Sequence, residues 1–217
     1  MRADLLGLME ALVRDESSRL RAEDKAAALD LAISRYSSDR PRHVVDDVVS
    51  AGGDTLPLPD GWESESELVS IEYPIGNRPP SLLDASIYTT PADRHLRLGD
   101  ALPFGVSARC TFTARHIVDD ATDTVLVSHR EGVAAYAAAL LLEQLAAASI
   151  NDGDTTIAAD STDRRTKAQE YASRARALKT RYADAVGLAS GGSAPAASGT
   201  SVAWAARPRM TRGIRRG

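Results

Sequence analysis

The 217-residue chain is 43% hydrophobic, 26% charged and only 5% aromatic, a balance too apolar for a wholly disordered chain and ordinary for a globular one of one or two domains. Its single cysteine, Cys110, excludes an intramolecular disulfide and a cysteine-built zinc site. The net charge of −4 is unevenly spread: Gly187 to Gly217 holds five arginines and no acidic residue, which leaves residues 1–186 at −9, and such asymmetry points to a tail that docks on something acidic.

The N-terminus has an early Arg2 followed by Asp4 and no sustained apolar stretch, so a secretory leader is not expected. Leu5, Met9 and Leu12 share one helical stripe, flanked by Leu6 and Val13, and predict a helix over 3–14. Ala22, Ala26, Leu29, Ile33 and Tyr36 recur at steps of three and four, with Glu23 and Asp24 where a helix dipole favours negative charge, so a second helix is expected over 22–37, stopping before Pro41.

Eight of the ten prolines fall between 41 and 103, which excludes a long helix there. Short β-branched or alternating runs at His43–Val49, Leu68–Tyr73, Ser86–Thr89, Leu96–Leu98 and Val106–Ala114 read as strands. In the last, Val106, Ala108, Cys110, Phe112 and Ala114 share one face opposite Ser107, Arg109, Thr111 and Thr113, the pattern of a half-buried strand.

After a polar loop at 119–124, Ser128 and Glu131 have capping-box spacing ahead of a helix over 129–149. Its run Val133–Leu142 is apolar all round, which predicts burial on more than one side; we expect its own core on one side and a neighbouring subunit on the other, with Val133, Tyr136, Leu140 and Leu141 at the subunit interface. Ten apolar residues fall short of the roughly 20 that cross a bilayer, so no membrane span or membrane partner is expected. A last helix over 163–186 carries Tyr171, Ala175, Leu178, Tyr182 and Val186 on one stripe, and Gly187 supplies its stop. Residues 189–199 are a linker by composition, and a basic arm follows.

This order predicts a mainly α fold: a four-helix bundle with a small β-subdomain between helices two and three and an extended C-terminal arm. The expected divisions are an N-terminal helical pair (1–40), a proline-rich β insert (41–118), a C-terminal helical pair completing the bundle (119–187), and a linker with a basic docking arm (188–217).

Catalytic chemistry is not legible. The glycines at 52–53 and in the linker lack the strand-to-helix context of a phosphate loop. Asp119, Asp120 and Asp123 read as a solvated turn, and Asn151–Asp154 as a helix-to-helix turn with no glutamate where a calcium loop requires one. The four histidines stand singly without metal-ligand spacing, and Cys110, mid-strand on the apolar face, reads as a buried structural thiol. No catalytic residue, cofactor or metal is therefore expected. The arm holds the most information. Trp204, Arg207, Arg209, Arg212, Ile214, Arg215 and Arg216 suit phosphate contact and base stacking, or threading into a groove on an acidic protein with Trp204 and Ile214 as anchors, or an unattached solubilising tail.

Several segments carry a resemblance. Ala28 to Arg42 (ALDLAISRYSSDRPR) with Val45 and Asp47, Leu68 to Pro74 after Trp62, Thr113 to His116, His129–Arg130–Glu131 opening an Ala-rich helix, and Ala159 to Asp163 together, in this order, resemble segments of the head-to-tail connector (adaptor) proteins of tailed bacteriophages. The resemblance implies a non-enzymatic structural protein forming a ring, usually of twelve copies, beneath the capsid portal. That ring joins the portal to the adjacent tail or neck protein, and DNA passes through its lumen without specific binding. It further implies residence in the virion neck, and in the host cytoplasm during assembly, with the C-terminal arm reaching into the portal protein. A tail-completion or stopper protein of the same virion and a nucleic-acid-binding accessory protein using the arm are the competing expectations.

Overall fold

The computed structural model describes residues 1–13, 19–91, 93–150 and 167–188. Four helices are present: α1 (Arg2–Val13), α2 (Ala22–Asp39), α3 (Arg130–Ile150) and α4 (Lys167–Val186). Alanine governs their packing, because Ala134, Ala137, Ala138 and Ala139 are all fully buried on α3 and let neighbouring helices approach closely. Leu5, Met9 and Val13 of α1, Leu29, Ile33 and Tyr36 of α2, and Ala175, Tyr182 and Val186 of α4 share one core with α3. The start of α2 is fixed by the Asp24 carboxylate, which accepts the Arg21 N–H at 3.0 Å. α4 ends in paired reverse bonds, Gly187 N–H to the Asp184 carbonyl and Leu188 N–H to that of Ala183, with Gly187 at φ 73°; this is the left-handed stop that a glycine provides most cheaply.

Between α2 and α3 lie seven strands: β1 (Arg42–Val49), β2 (Gly53–Pro57), β3 (Leu68–Glu72), β4 (Leu82–Leu83), β5 (Ala85–Thr89), β6 (Arg94–Leu102) and β7 (Ser107–Ala114). They form two antiparallel sheets, ordered β1-β7-β3-β4 and β2-β6-β5. A second core joins the sheets, with Val48, Ile71, Ala108 and Cys110 from the first and Leu56, Leu96, Leu98 and Leu102 from the second. The alternation predicted for β7 holds at Ala108, Cys110 and Phe112, all fully buried. Burial, with Asp46 and Asp47 adding, pushes the Cys110 thiol up to about 11, so it is an inert core group.

The expectation of a mainly α bundle with a minor insert is overturned. Of the described residues 44% are helical and 27% are strand, in four helices and two sheets, so this is a mixed helix-and-sheet fold with two cores. Strands β2 and β4 escape a hydrophobic-run search because β2 includes Gly53 and Pro57 and β4 is two residues long. An edge position such as that of β2 tolerates both glycine and proline.

α3 is also less available than its sequence suggests. The stretch Val127–Ser149 is long and apolar enough by composition to cross a membrane, yet most of its apolar part is buried inside the chain. Val133 and Leu141 are fully enclosed by the chain's own helices, which accounts for their apolarity without a second subunit. Tyr136 and Leu140 are half-buried against the same core.

Candidate functional site

The two cores meet where α2 ends. Tyr36, fully buried in the last turns of α2, stacks on His116 with ring centroids 4.6 Å apart and edges against His129 at 5.7 Å. The hydroxyl of Tyr36 lies 2.9 Å from His129 Nδ1, and the two share a hydrogen bond. His116, just after β7, closes the other side: its backbone N–H donates to Ser37 Oγ at 2.9 Å, and its Nε2 lies 2.8 Å from the Arg40 carbonyl. Its Nδ1 lies 2.9 Å from the Thr124 carbonyl and 3.1 Å from the Thr124 hydroxyl.

Arg40 then carries the joint to α4. Its Nε and Nη2 donate to the Val186 carbonyl at 3.1 and 2.8 Å, which satisfies a helix-terminal acceptor with a cation where the helix dipole is negative. Alongside, Tyr182 of α4 donates to Asp39 Oδ2 at 2.7 Å and Arg35 meets the same oxygen at 2.9 Å. Burial, reinforced by the Asp39 bond, holds the Tyr182 phenol protonated far above its ordinary range, and burial also raises the Tyr36 phenol. Burial first, then Arg40 and His116, lowers His129. These groups are tuned to hold their neutral forms, which suits a joint rather than proton traffic.

Beside the joint opens a polar cleft of about 260 Å³. Ser34 and Ser38 of α2 and Pro41 form one wall, and the loop bearing Glu63, Glu65 and Glu67 forms another, with Arg115 between them. The loop is tied down: Thr113 Oγ1 accepts the Glu67 N–H at 2.8 Å and Ser66 Oγ accepts that of Glu63 at 2.9 Å. Arg115 pairs with Glu65 at 2.7 Å and Glu63 at 3.6 Å, whereas the Glu67 carboxylate has no ion-pair partner among the described residues.

Several sequence expectations resolve here. Glu131 does not reach back as a capping-box partner; it pairs with Arg181 of α4, and a 3-10 turn at Val127–His129 leads into α3 instead. Asp119 accepts the N–H groups of Ala121 and Thr122, and Asp123 accepts that of Val125 and pairs with Arg130, so these carboxylates serve the turn. No group of three metal-type donors occurs among the described residues. The arm residues Trp204, Arg207, Arg209, Arg212, Ile214, Arg215 and Arg216, and the turn at Asn151–Asp154, lie outside the described residues.

The joint itself was missed from sequence. His116 and His129 are 80 and 93 positions from Tyr36, and no local periodicity reports a contact at that separation. The Ser37 hydroxyl is committed to the Ile33 carbonyl at 2.8 Å and to the His116 backbone, while both His116 ring nitrogens have other partners. Comparison with models of known families, with curated proteins and with solved structures gave no match for this chain.

Proposed function

We propose that this chain is the head-to-tail connector of a tailed bacteriophage. Copies close into a ring beneath the capsid portal, the DNA passes through the lumen, and the arm from Trp204 to Arg216 engages the portal protein, while the β-subdomain meets the next neck component. The protein then resides in the virion neck and performs no chemistry. One observation carries the reading beyond the resemblance itself. The resembling segments are scattered along the chain, yet Tyr36 and Arg40 from the first, His116 from the third and His129 from the fourth make a single joint. There His116, just after β7, holds the end of α2 through Ser37, Arg40 and Tyr36, which ties the β-subdomain to the helical core, as suits a subunit of a rigid collar.

The test is co-assembly with the portal, followed by a reconstruction of the capsid vertex. The full chain is expected to bind portal as a ring and to occupy the layer directly beneath it; deletion of 189–217 is expected to weaken docking about tenfold or more, equivalent to at least ~1.4 kcal/mol, with helix content unchanged. A chain that neither binds portal nor occurs in virions overturns the reading, and a position one layer further down assigns it to a stopper or completion role. Salt-sensitive duplex binding retained by the full chain favours instead the accessory role that the arginines suggest, against which stands the charge of −9 on residues 1–186.

A further inference from the structure

We infer that the free edge of β1 pairs with the same edge of a second copy, antiparallel and centred on Val45, so that the β1-β7-β3-β4 sheets of two chains join into one. The inference goes beyond the connector reading and does not rest on it.

The edge is unpartnered. Within its sheet β1 is bonded to β7 alone, in a register that runs from Arg42↔Ala114 to Val49↔Ser107 without a bulge. Ser50 N–H donates to the Val106 carbonyl at 2.8 Å, so the even-numbered residues of β1 turn their backbone groups toward β7, and antiparallel alternation turns those of His43, Val45, Asp47 and Val49 outward. Among the described residues no hydrogen bond reaches these outward groups. Natural sheets blunt such an edge with lysine, proline, a bulge or a very short strand. β4 is two residues long, and β2 shifts register after Gly53 and ends at Pro57; β1, reading RHVVDDVV, has none of the four. Val45 and Val49 stand on its outer face, each 57% exposed, and β-branched side chains gain from a cross-strand neighbour.

Charge order identifies the occupant as this same strand. His43 precedes Val45 by two residues and Asp47 follows it by two, so turning the strand antiparallel about Val45 sets Val45 opposite Val45 and His43 opposite Asp47 of the second copy. Arg109 already grips the Asp47 carboxylate at 2.8 and 2.9 Å, and the row Arg109–Asp47–His43 then runs donor, acceptor, donor across the seam. The two-residue side-chain period admits only registers that keep the outer faces together. Centring on Asp46 puts valines opposite both His43 and Asp47, and centring on Val44 puts Pro41, which has no N–H, opposite Asp47. About Val45 the opposed residues exchange about six backbone hydrogen bonds. The contact is isologous and closes at two copies. A polar ring is built from head-to-tail contacts instead, so the pair is a form of the chain outside such a ring.

Sedimentation of the full chain at high micromolar concentration, together with disulfide trapping, tests this. Wild type is expected to sediment as a dimer, and a monomer overturns the inference. Directly opposed residues of a hydrogen-bonded pair lie about 5.5 Å apart at Cα, within disulfide reach, so Val45→Cys is expected to cross-link to itself at least tenfold faster than the equally exposed Val49→Cys, with the buried Cys110 contributing nothing. Equal rates overturn the register. Pairing of β1 with β5 of another copy, or with a strand of a different protein, leaves Val45→Cys without a self-cross-link and overturns the inference as well. Val45→Pro removes an outward N–H and is expected to weaken dimerisation about tenfold or more. Val45→Lys, which keeps every bond to β7, is expected to do the same with circular dichroism unchanged, and a folded Val45→Lys protein that dimerises as wild type overturns the inference. His43→Glu opposes two carboxylates across the seam and is expected to weaken the pair threefold or more. Portal docking and its loss on deletion of 189–217 report on the connector reading alone, so failure of the pair leaves that result standing.

Discussion

At the scale of single residues, the joint's most sensitive member is His129. Burial, Arg40 and His116 hold its proton affinity below the ordinary value of 6.5, because a positive charge there would be partly withdrawn from water and would face both a guanidinium and another imidazole. The unfolded chain therefore binds a proton that the folded chain resists. Stability is complete above about pH 6.5 and is lost as pH falls from there toward the lower folded value. Thermal unfolding at pH 7.5 and 5.0 is expected to show a fall in midpoint for wild type and a smaller fall for His129→Asn, which titrates nothing. Equal falls in the two proteins would assign the acid sensitivity elsewhere. Arg40→Met removes one of the charges that oppose protonation and is expected to shallow the dependence in the same direction.

At the scale of elements, two glycines in helices predict opposite outcomes of one substitution. Gly7 lies on the exposed side of α1, and a Cβ there meets nothing within 4 Å; a Cβ on Gly132 of α3 would lie 2.8 Å from the Ala185 Cβ of α4. Gly7→Ala is expected to stabilise by up to ~1 kcal/mol through helix propensity. Gly132→Ala gains the same propensity but forces α3 and α4 apart, at a cost of ~1–3 kcal/mol from overpacking, so its net effect is destabilising. Denaturant titration checks the signs, and Gly132→Ala/Ala185→Gly is expected to recover the loss in excess of the separate effects. The helices were the legible part of the sequence: α1, α2 and α3 begin and end within two residues of the bounds predicted for them, because a 3.6-residue repeat is a local property. The strands were read in part. β1, β3 and β7 follow β-branched runs, whereas β2, β4 and the Gly99–Leu102 end of β6 take their order from neighbouring strands. The all-round apolarity of α3 showed that it must be covered but not by what, and three helices of the same chain cover much of it.

At the scale of the whole molecule, two cores are expected to unfold as one only if the joint holds. The helical core and the sheet core share no member, and the contacts that bridge them gather on His116: its backbone N–H on Ser37 Oγ, its Nε2 on the Arg40 carbonyl and its ring on Tyr36. None of this was legible in the sequence, since a hydrogen bond between residues 40 and 116 leaves no pattern in either segment. His116→Phe keeps a planar ring against Tyr36 and deletes the bonds of both ring nitrogens. A hydrogen bond of this kind contributes ~0.5–1.5 kcal/mol, so the variant weakens the coupling without emptying either core. Trp62, which packs on Phe112 at 5.3 Å, reports on the sheets by fluorescence in a Trp204→Phe background, and far-UV circular dichroism reports chiefly on the helices. In the parent protein the two signals are expected to share one midpoint. In His116→Phe they are expected to separate, and coincidence there would show that the joint does not couple the cores, removing the mechanical ground on which the connector reading draws.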